Sequence, residues 1–224
     1  MAIFLDTGKI DEIRKYHSMG IITGVTTNPT IMLRSGVKGG MAGVRKRSVE
    51  IANLIAPHPL SVEVTTNDPA GMIKQAVELS GWAKNIVVKI PIHGPNGELD
   101  NLTVVRELEK KRNVRVNVTA MMSAQQCFLA AMAGATYVSI FAGRVNNMGY
   151  SSVEEIRKAR KLIDDFGLKS KIIAGSTREV LNITEWLLAG AHIVTAVPEL
   201  VHGMIVHPYS KETVRQFLED AGKI

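Results

Sequence analysis

The stretch L-S-V-E-V-T-T-N-D-P-A-G-M-I-K-Q-A-V-E-L-S-G-W-A-K-N-I-V-V-K-I-P (residues 60–91) contains a complete strand–helix–strand unit. Its ends, 60–64 and 86–91, are short β-branched runs bounded by turn formers. Between them Asn67-Asp68-Pro69 supplies a helix entry, with Asp68 as N-cap and Pro69 at the first helical position. Ala70, Ile73, Val77 and Trp82 recur near helical spacing and predict a helix over 68–82 with one apolar face. Two strands joined through such a helix run parallel, with a right-handed crossover.

The same alternation extends in both directions. Toward the N-terminus lie I-F-L-D near residue 4 and I-T-G-V-T-T-N ending at Asn28. Toward the C-terminus lie V-R-V-N-V-T from Val114, Y-V-S-I-F from Tyr137, K-I-I-A-G-S from Lys171 and H-I-V-T-A-V-P from His192. Helical stretches separate them: one capped by Ser123 and stopped at Gly134, one opened by Ser151 and Ser152 before Glu154 and Glu155, and one ending near Gly190. Eight strand signals without a linker predict a closed (β/α)8 barrel, one α/β domain over residues 1–224. The competing architecture is a doubly wound open sheet, whose Gly-rich turn after the first strand is missing.

Composition agrees with a barrel and excludes several classes. Apolar residues make up 46% and aromatics only 5%, an aliphatic balance suited to parallel strands covered on both faces. Cys127 is the only cysteine, which excludes an internal disulfide and a cysteine-cluster zinc site and suits a reducing compartment. The six histidines show no H-x-x-x-H or H-E-x-x-H spacing, so no metal site is expected, and no phosphate-binding G-x-x-x-x-G-K-[ST] loop occurs. Gly39-Gly40 reads as a turn, and the methionines Met121, Met122 and Met132 as core filler. The net charge of +6 fits a basic surface or an anionic ligand equally well. Its densest stretch, Arg45-Lys46-Arg47, lacks interleaved aromatics, and no nucleic-acid partner is expected. The start M-A-I-F-L-D-T-G-K has no leader pattern, and the apolar-looking stretch 129–143 is too short to span a bilayer. A cytoplasmic chain without membrane contact is the expectation.

In a barrel the chemistry gathers at the carboxyl ends of the strands. Seven of the eight strand signals finish in a polar residue: Asp6, Asn28, Glu63, Lys89, Thr119, Ser139 and Ser176; the eighth, ending in Val197-Pro198, does not. Lys89 is flanked by apolar residues and shares a face with Val87. An amine in that position is paired with an acid such as Glu63 or Asp6, reaches the rim, or gives up its proton and attacks a carbonyl carbon. Asp6 and Glu63 read either as caps and ion-pair partners or as proton-transfer groups near Lys89. Ser176-Thr177-Arg178, at the opening of a helix, has the backbone N–H groups, hydroxyl and guanidinium of an anion cup, and Arg144 supplies a second guanidinium. Ser123 reads as a cap and not as a nucleophile.

The motifs G-V-T-T-N-P-T (24–30), F-L-D-T (4–7), V-V-K-I-P (87–91), N-V-T-A-M-M-S-A-Q-Q (117–126), A-G-A-T-Y-V-S-I-F-A-G-R (133–144) and G-S-T-R (175–178) occur in one order and spacing. In that arrangement the chain resembles the small transaldolase and fructose-6-phosphate aldolase family over nearly its whole length. The resemblance implies class I aldol chemistry with no metal and no cofactor. Lys89 would form a Schiff base with the C2 carbonyl of a ketose phosphate, and Asp6 would take the C4 hydroxyl proton. Glu63 and Thr119 would handle a water during imine formation. Thr26, Asn28 and Ser139 would surround the dihydroxyacetone unit, and Arg144, Ser176 and Arg178 would bind the phosphate. Small-molecule sugar phosphates are thereby the implied partners, along with other copies of the chain in a pentamer or decamer.

Within the family, Glu63 and Phe141 resemble the transferring branch, where the aldolase branch carries Gln and Tyr; S-A-Q-Q resembles the aldolase side. The implied reaction is transfer from a donor such as sedoheptulose 7-phosphate or fructose 6-phosphate. The alternatives are cleavage to free dihydroxyacetone and a non-standard sugar. Ile140 and Asn146 stand where the family usually reads Pro and Asp, the loop 93–101 is longer, and G-S-T-R replaces A-S-[FI]-[RK]. These departures are expected around the aldehyde and phosphate end.

Overall fold

A computed structural model describes residues 1–224. The strands are β1 (Ala2–Asp6), β2 (Val25–Thr26), β3 (Leu60–Glu63), β4 (Ile86–Pro91), β5 (Val116–Met121), β6 (Tyr137–Ile140), β7 (Lys171–Ala174) and β8 (Ile193–Ala196). They pair in parallel, in chain order, and β8 closes on β1 through Ala2↔Ile193 to Leu5↔Ala196. Closure excludes the open sheet. After β1 comes α1 (Ile10–Ser18); after β2 come α2 (Pro29–Arg34) and α3 (Gly40–Ile55); after β3 and β4 come α4 (Pro69–Ser80) and α5 (Asp100–Lys111). Then α6 (Ala124–Met132) follows β5, and α7 (Ala142–Asn147) and α8 (Ser152–Asp165) follow β6. The last three are α9 (Val180–Leu188) after β7, with α10 (Pro198–Ile205) and α11 (Pro208–Ala221) after β8. No helix is long and apolar enough to cross a membrane.

Two apolar clusters hold the ring. The larger lies between strands and helices and takes the outward residues, such as Leu5, Val62, Val88, Ile90 and Val118, with Trp186 and Leu108 from the helices. The smaller fills the barrel itself: Phe4, Val87, Tyr137, Ile173 and Ile193, with Phe4 edge-on to Tyr137 at 6.4 Å. Because a strand repeats its face every second residue, the next inward position after each plug residue lies nearer the carboxyl end. On four strands that position is polar: Phe4 is followed by Asp6, Val87 by Lys89, Tyr137 by Ser139 and Ile193 by Thr195. An apolar floor with a polar layer above it is thus written into the strand sequences.

The helix signals hold at Asp68, Ser123 and Ser151, each of which caps its helix by accepting a backbone N–H. Four expectations need correction. The second strand signal gives only Val25–Thr26 of regular pairing, because Pro29 begins α2 and Asn28 becomes its N-cap. The buried stripe of α4 is Met72, Ala76 and Leu79, while Ala70 and Val77 are exposed. Met121 is buried and Met122 packs on the core, but Met132 faces outward. Gly39-Gly40, read as a turn, instead opens α3, with Gly39 left-handed (φ 89°) as its N-cap and Gly40 as its first residue.

Candidate active site

A cavity of about 520 Å³ opens at the carboxyl ends of the strands. Lys89 rises into it from the middle of β4, and its side chain is only 6% exposed. The register sets Glu63 directly beside Lys89, and Lys89 Nζ lies 3.3 Å from Glu63 Oε2. Nζ also donates to the Thr27 carbonyl at 3.2 Å. One of its three donors is therefore held by main chain and its charge is paired with Glu63, while Lys89 still lines the cavity. The pairing expected for a buried lysine is present, with Glu63 and not with Asp6. Glu63 stands behind the amine and does not itself line the cavity.

Thr119 lies on the next strand, in a stretch where the β5–β6 register shifts and Ala120 turns left-handed (φ 61°). Bulges of this kind re-aim a side chain at the cost of one ladder bond. The Thr119 hydroxyl borders the cavity and is buried without a protein partner. Both its donor and its acceptor capacities remain unspent, which suits a water or a hydroxyl bound beside Lys89.

Asp6 closes β1 on the other side of the cavity floor. Burial pushes its carboxyl above the usual range; a hydrogen bond from Thr26 and the charge of Lys89 partly oppose that rise. Thr26 Oγ1 donates to Asp6 Oδ1 at 2.6 Å, and Thr195 Oγ1 lies 2.5 Å from Thr26 Oγ1. A carboxyl held toward its neutral form above an apolar floor is equipped to accept a proton.

Ser139 Oγ donates to Asn117 Oδ1 at 2.7 Å, and Asn117 Nδ2 donates to Ser61 Oγ at 3.1 Å. Ser139 has thus spent its single proton and presents lone pairs to the cavity, so it accepts from a ligand hydroxyl. Asn28 is the complement. Its Oδ1 caps α2 by accepting from Ile31 N at 2.8 Å, which leaves its NH₂ as the free donor.

The far rim is basic. Phe141, Arg144, Ser176 and Arg178 line it, and the Arg144 guanidinium sits 5.1 Å from the centre of the Phe141 ring. Neither guanidinium has a hydrogen bond or ion pair with protein, so both are available to an anion. One expectation changes here. The N–H groups of Arg178 and Glu179, at the start of α9, are already taken by Asn182 Oδ1 at 3.2 and 3.1 Å. The expected cup is therefore left to the preceding loop, where Ser176 is left-handed (φ 61°), and the helix end cannot supply those two N–H groups.

All the residues expected at the site from the sequence converge here, Glu63 through Lys89. Sequence reading missed Thr195, Asn117 and Ser61 inside the barrel, and Lys9 and Arg34 at the mouth. The departures at strand six and in the long loop do not reach the cavity. Ile140 belongs to the outer core, Asn146 Oδ1 accepts from Ser152 N at 3.0 Å, and residues 93–101 lie outside the lining. S-A-Q-Q is spent on capping, Ser123 for α6 and Gln126 Oε1 for Met122 N. Of the departures only Gly175 and Thr177, in G-S-T-R, border the cavity. Cys127 is fully buried, and burial pushes its thiol up to about 12, which leaves it unreactive.

Residues 3–224 match the family model described as transaldolase/fructose-6-phosphate aldolase. A protein of Carboxydothermus hydrogenoformans named probable transaldolase is 40% identical over 220 residues, 98% of this chain and 97% of that protein. One of Leptospira biflexa with the same name is 38% identical over 224 residues, 100% of this chain and 99% of that protein. Among solved structures, thiamine phosphate pyrophosphorylase from Pyrococcus furiosus superposes with a TM-score of 0.61 over 88% of this chain and 85% of that one. At 12% identity that likeness is one of fold alone.

Proposed function

Because the chain belongs to the transaldolase/fructose-6-phosphate aldolase family, we propose that it transfers a dihydroxyacetone unit from a ketose phosphate to an aldehyde through a Schiff base on Lys89. The observation that carries this reading is the placement of Lys89 Nζ: buried, 3.3 Å from the Glu63 carboxylate, and bordering a cavity that Asp6 also lines. Glu63 accepts the ammonium proton, and the neutral amine adds to the C2 carbonyl to give a carbinolamine. Loss of water, with Glu63 on one neighbouring strand and the unpaired Thr119 hydroxyl on the other, leaves a protonated imine. Asp6 then takes the C4 hydroxyl proton, the C3–C4 bond breaks, and its electron pair moves through C2 to the iminium nitrogen. The aldehyde leaves and an enamine remains on Lys89. Attack of the enamine on an acceptor aldehyde forms a new C–C bond, Asp6 returns its proton to the new alkoxide, and water hydrolyses the imine.

The polar lining matches that substrate group by group. Asn28 donates and Ser139 accepts, so together they satisfy a hydroxyl of the dihydroxyacetone unit. Arg144, Arg178 and Ser176 form the anion end, at which a terminal phosphate fixes the chain's direction. Phe141, at that end, has no proton to give the enamine, which favours transfer over release of free dihydroxyacetone. The reading extends to assembly: α11 buries none of its residues within the chain, and its apolar side is assigned to contact with another copy in a homo-oligomer.

Borohydride reduction in the presence of fructose 6-phosphate, followed by peptide mass mapping, tests the reaction. The expected result is one stable adduct on the peptide carrying Lys89, absent in Lys89→Ala. Trapping on another lysine, or turnover that survives Lys89→Ala, overturns it.

A further inference from the structure

The eighth strand carries an inward hydroxyl that the reaction above leaves unused. Thr195 is buried on β8, with its Oγ1 2.5 Å from Thr26 Oγ1 on β2, and Thr26 Oγ1 is in turn 2.6 Å from Asp6 Oδ1. The three side chains come from the adjacent strands β8, β1 and β2, where the pairing sets Leu5 against Ala196 and Asp6 against Thr26. A threonine hydroxyl holds one proton, and an ionised carboxylate only accepts. Thr26 therefore gives its proton to Asp6, and only Thr195 remains to donate to Thr26. We propose that Thr195 is a positioning residue for the base: its hydroxyl donates to Thr26, fixes Thr26 as the donor to Asp6 Oδ1, and leaves Oδ2 as the oxygen that takes the substrate proton.

Packing supports the assignment. The Thr195 carbonyl accepts from Thr177 Oγ1 at 3.1 Å, which ties β8 to the loop bearing the anion cup. The Thr195 methyl sits against Gly175, where an added Cβ would come within 3.3 Å of Cγ2. With main chain and methyl both held, the hydroxyl is left directed at Thr26. A donor that itself accepts a hydrogen bond is strengthened, so the chain of two hydroxyls stabilises the ionised carboxylate more than Thr26 alone. The other charged groups of the cavity are Lys89 from β4, backed by Glu63 of β3, Lys9, Glu12, Arg34 and Glu199 at the mouth, and Arg144 and Arg178 on the basic rim. A substitution at Thr195 leaves all eight in place.

The inference rests on Asp6 serving as the base, and the test separates the two. Carboxyl-carbon NMR titration of Asp6 and pH profiles of kcat are compared for wild type, Thr195→Val and Thr195→Ser. Valine is expected to raise the Asp6 midpoint and to move the acid limb of kcat upward with it. On that limb kcat falls roughly three- to tenfold, the worth of one modest hydrogen bond, while KM stays unchanged. Serine, which keeps the hydroxyl, is expected to restore both. An Asp6 midpoint unmoved by valine, or a loss that serine does not rescue, overturns the proposal. A midpoint that moves in a chain without turnover upholds the hydrogen-bond assignment and defeats the reaction instead.

Discussion

Asp6 shows at a single residue how function and stability oppose each other in this barrel. Burial raises its carboxyl above the unfolded value, with Thr26 and Lys89 only partly compensating. A group whose folded pKa is raised binds its proton more tightly when folded. Stability is therefore full below the unfolded value near 3.8 and falls as pH rises through the folded value. At neutral pH the ionised carboxylate is thus a net cost to the fold. Asp6→Asn keeps an oxygen to accept from Thr26 but carries no charge, so it is expected to melt higher than wild type at pH 7. A gain of about 1 kcal/mol would read as about 2–4 °C at this chain length. The difference should vanish near pH 3, and a variant no more stable at pH 7 would show that burial does not strain this group. The same variant should still be trapped by borohydride yet lose C–C cleavage by about two to four orders of magnitude, the usual weight of a positioned base. Phe141 poses the complementary question, because its ring meets Arg144 and offers no proton. Phe141→Tyr places a hydroxyl at the anion end of the cavity and is expected to raise release of free dihydroxyacetone relative to transfer. An unchanged partition between the two products would show that this position does not decide the outcome.

Between elements, the contact that matters most is that of α7 with the loop after β7. A Cβ on Gly143 would lie 1.8 Å from the Ser176 carbonyl oxygen, and Gly143 N donates to the Gly175 carbonyl at 3.3 Å. The two guanidinium-bearing segments are held together through this absent side chain, with Ser176 in a left-handed conformation that stores strain. Gly143→Ala must push one main chain away from the other, so Arg144 and the Ser176 loop lose their mutual geometry. The expected effect is a ten- to hundredfold fall in kcat/KM for phosphorylated donors, the scale of an ångström-sized misplacement. It should be carried mainly by KM, with much less loss for an unphosphorylated ketose. Equal losses for both substrates would place the damage elsewhere. At this scale the sequence was easiest to read. Period-two strands and Ser, Asp and Pro caps are local signals, and all eight strands and the caps of α4, α6 and α8 follow from them. Local reading failed where register decided. The eighth strand was judged by its last residues, Val197-Pro198, while its inward polar position is Thr195, two residues beyond the plug residue Ile193. Asn117 and Ser61 were missed for the same reason, since only the closed ring shows that they brace Ser139. Ile140 and Asn146 misled in the opposite sense: they sit beside site residues in the chain but point into the outer core and the α8 start.

At the level of the whole molecule, α11 is the element that the barrel does not account for. None of its residues is buried, although Tyr209, Val214, Phe217 and Leu218 are large and apolar. Val214 and Leu218 stand one helical turn apart and share a shallow apolar hollow with Ile205 and Val206 at the end of α10. Isolated helices of this length are marginal in water, and an amphipathic one draws its stability from a covered face. Assigning that face to another copy of the chain gives the helix the packing it lacks, and none of the residues of α11 lines the cavity. Sedimentation velocity should therefore show wild type as an oligomer. Val214→Glu combined with Leu218→Glu removes two apolar contacts worth about 1.5–3 kcal/mol each when fully buried. Association should weaken by at least about a hundredfold and release smaller species. The barrel does not use α11, so the double variant should keep its far-ultraviolet circular dichroism and its borohydride trapping on Lys89. A wild type that sediments as a monomer would remove the partner assigned to α11. Loss of trapping together with dissociation would instead mean that a neighbouring copy completes the site.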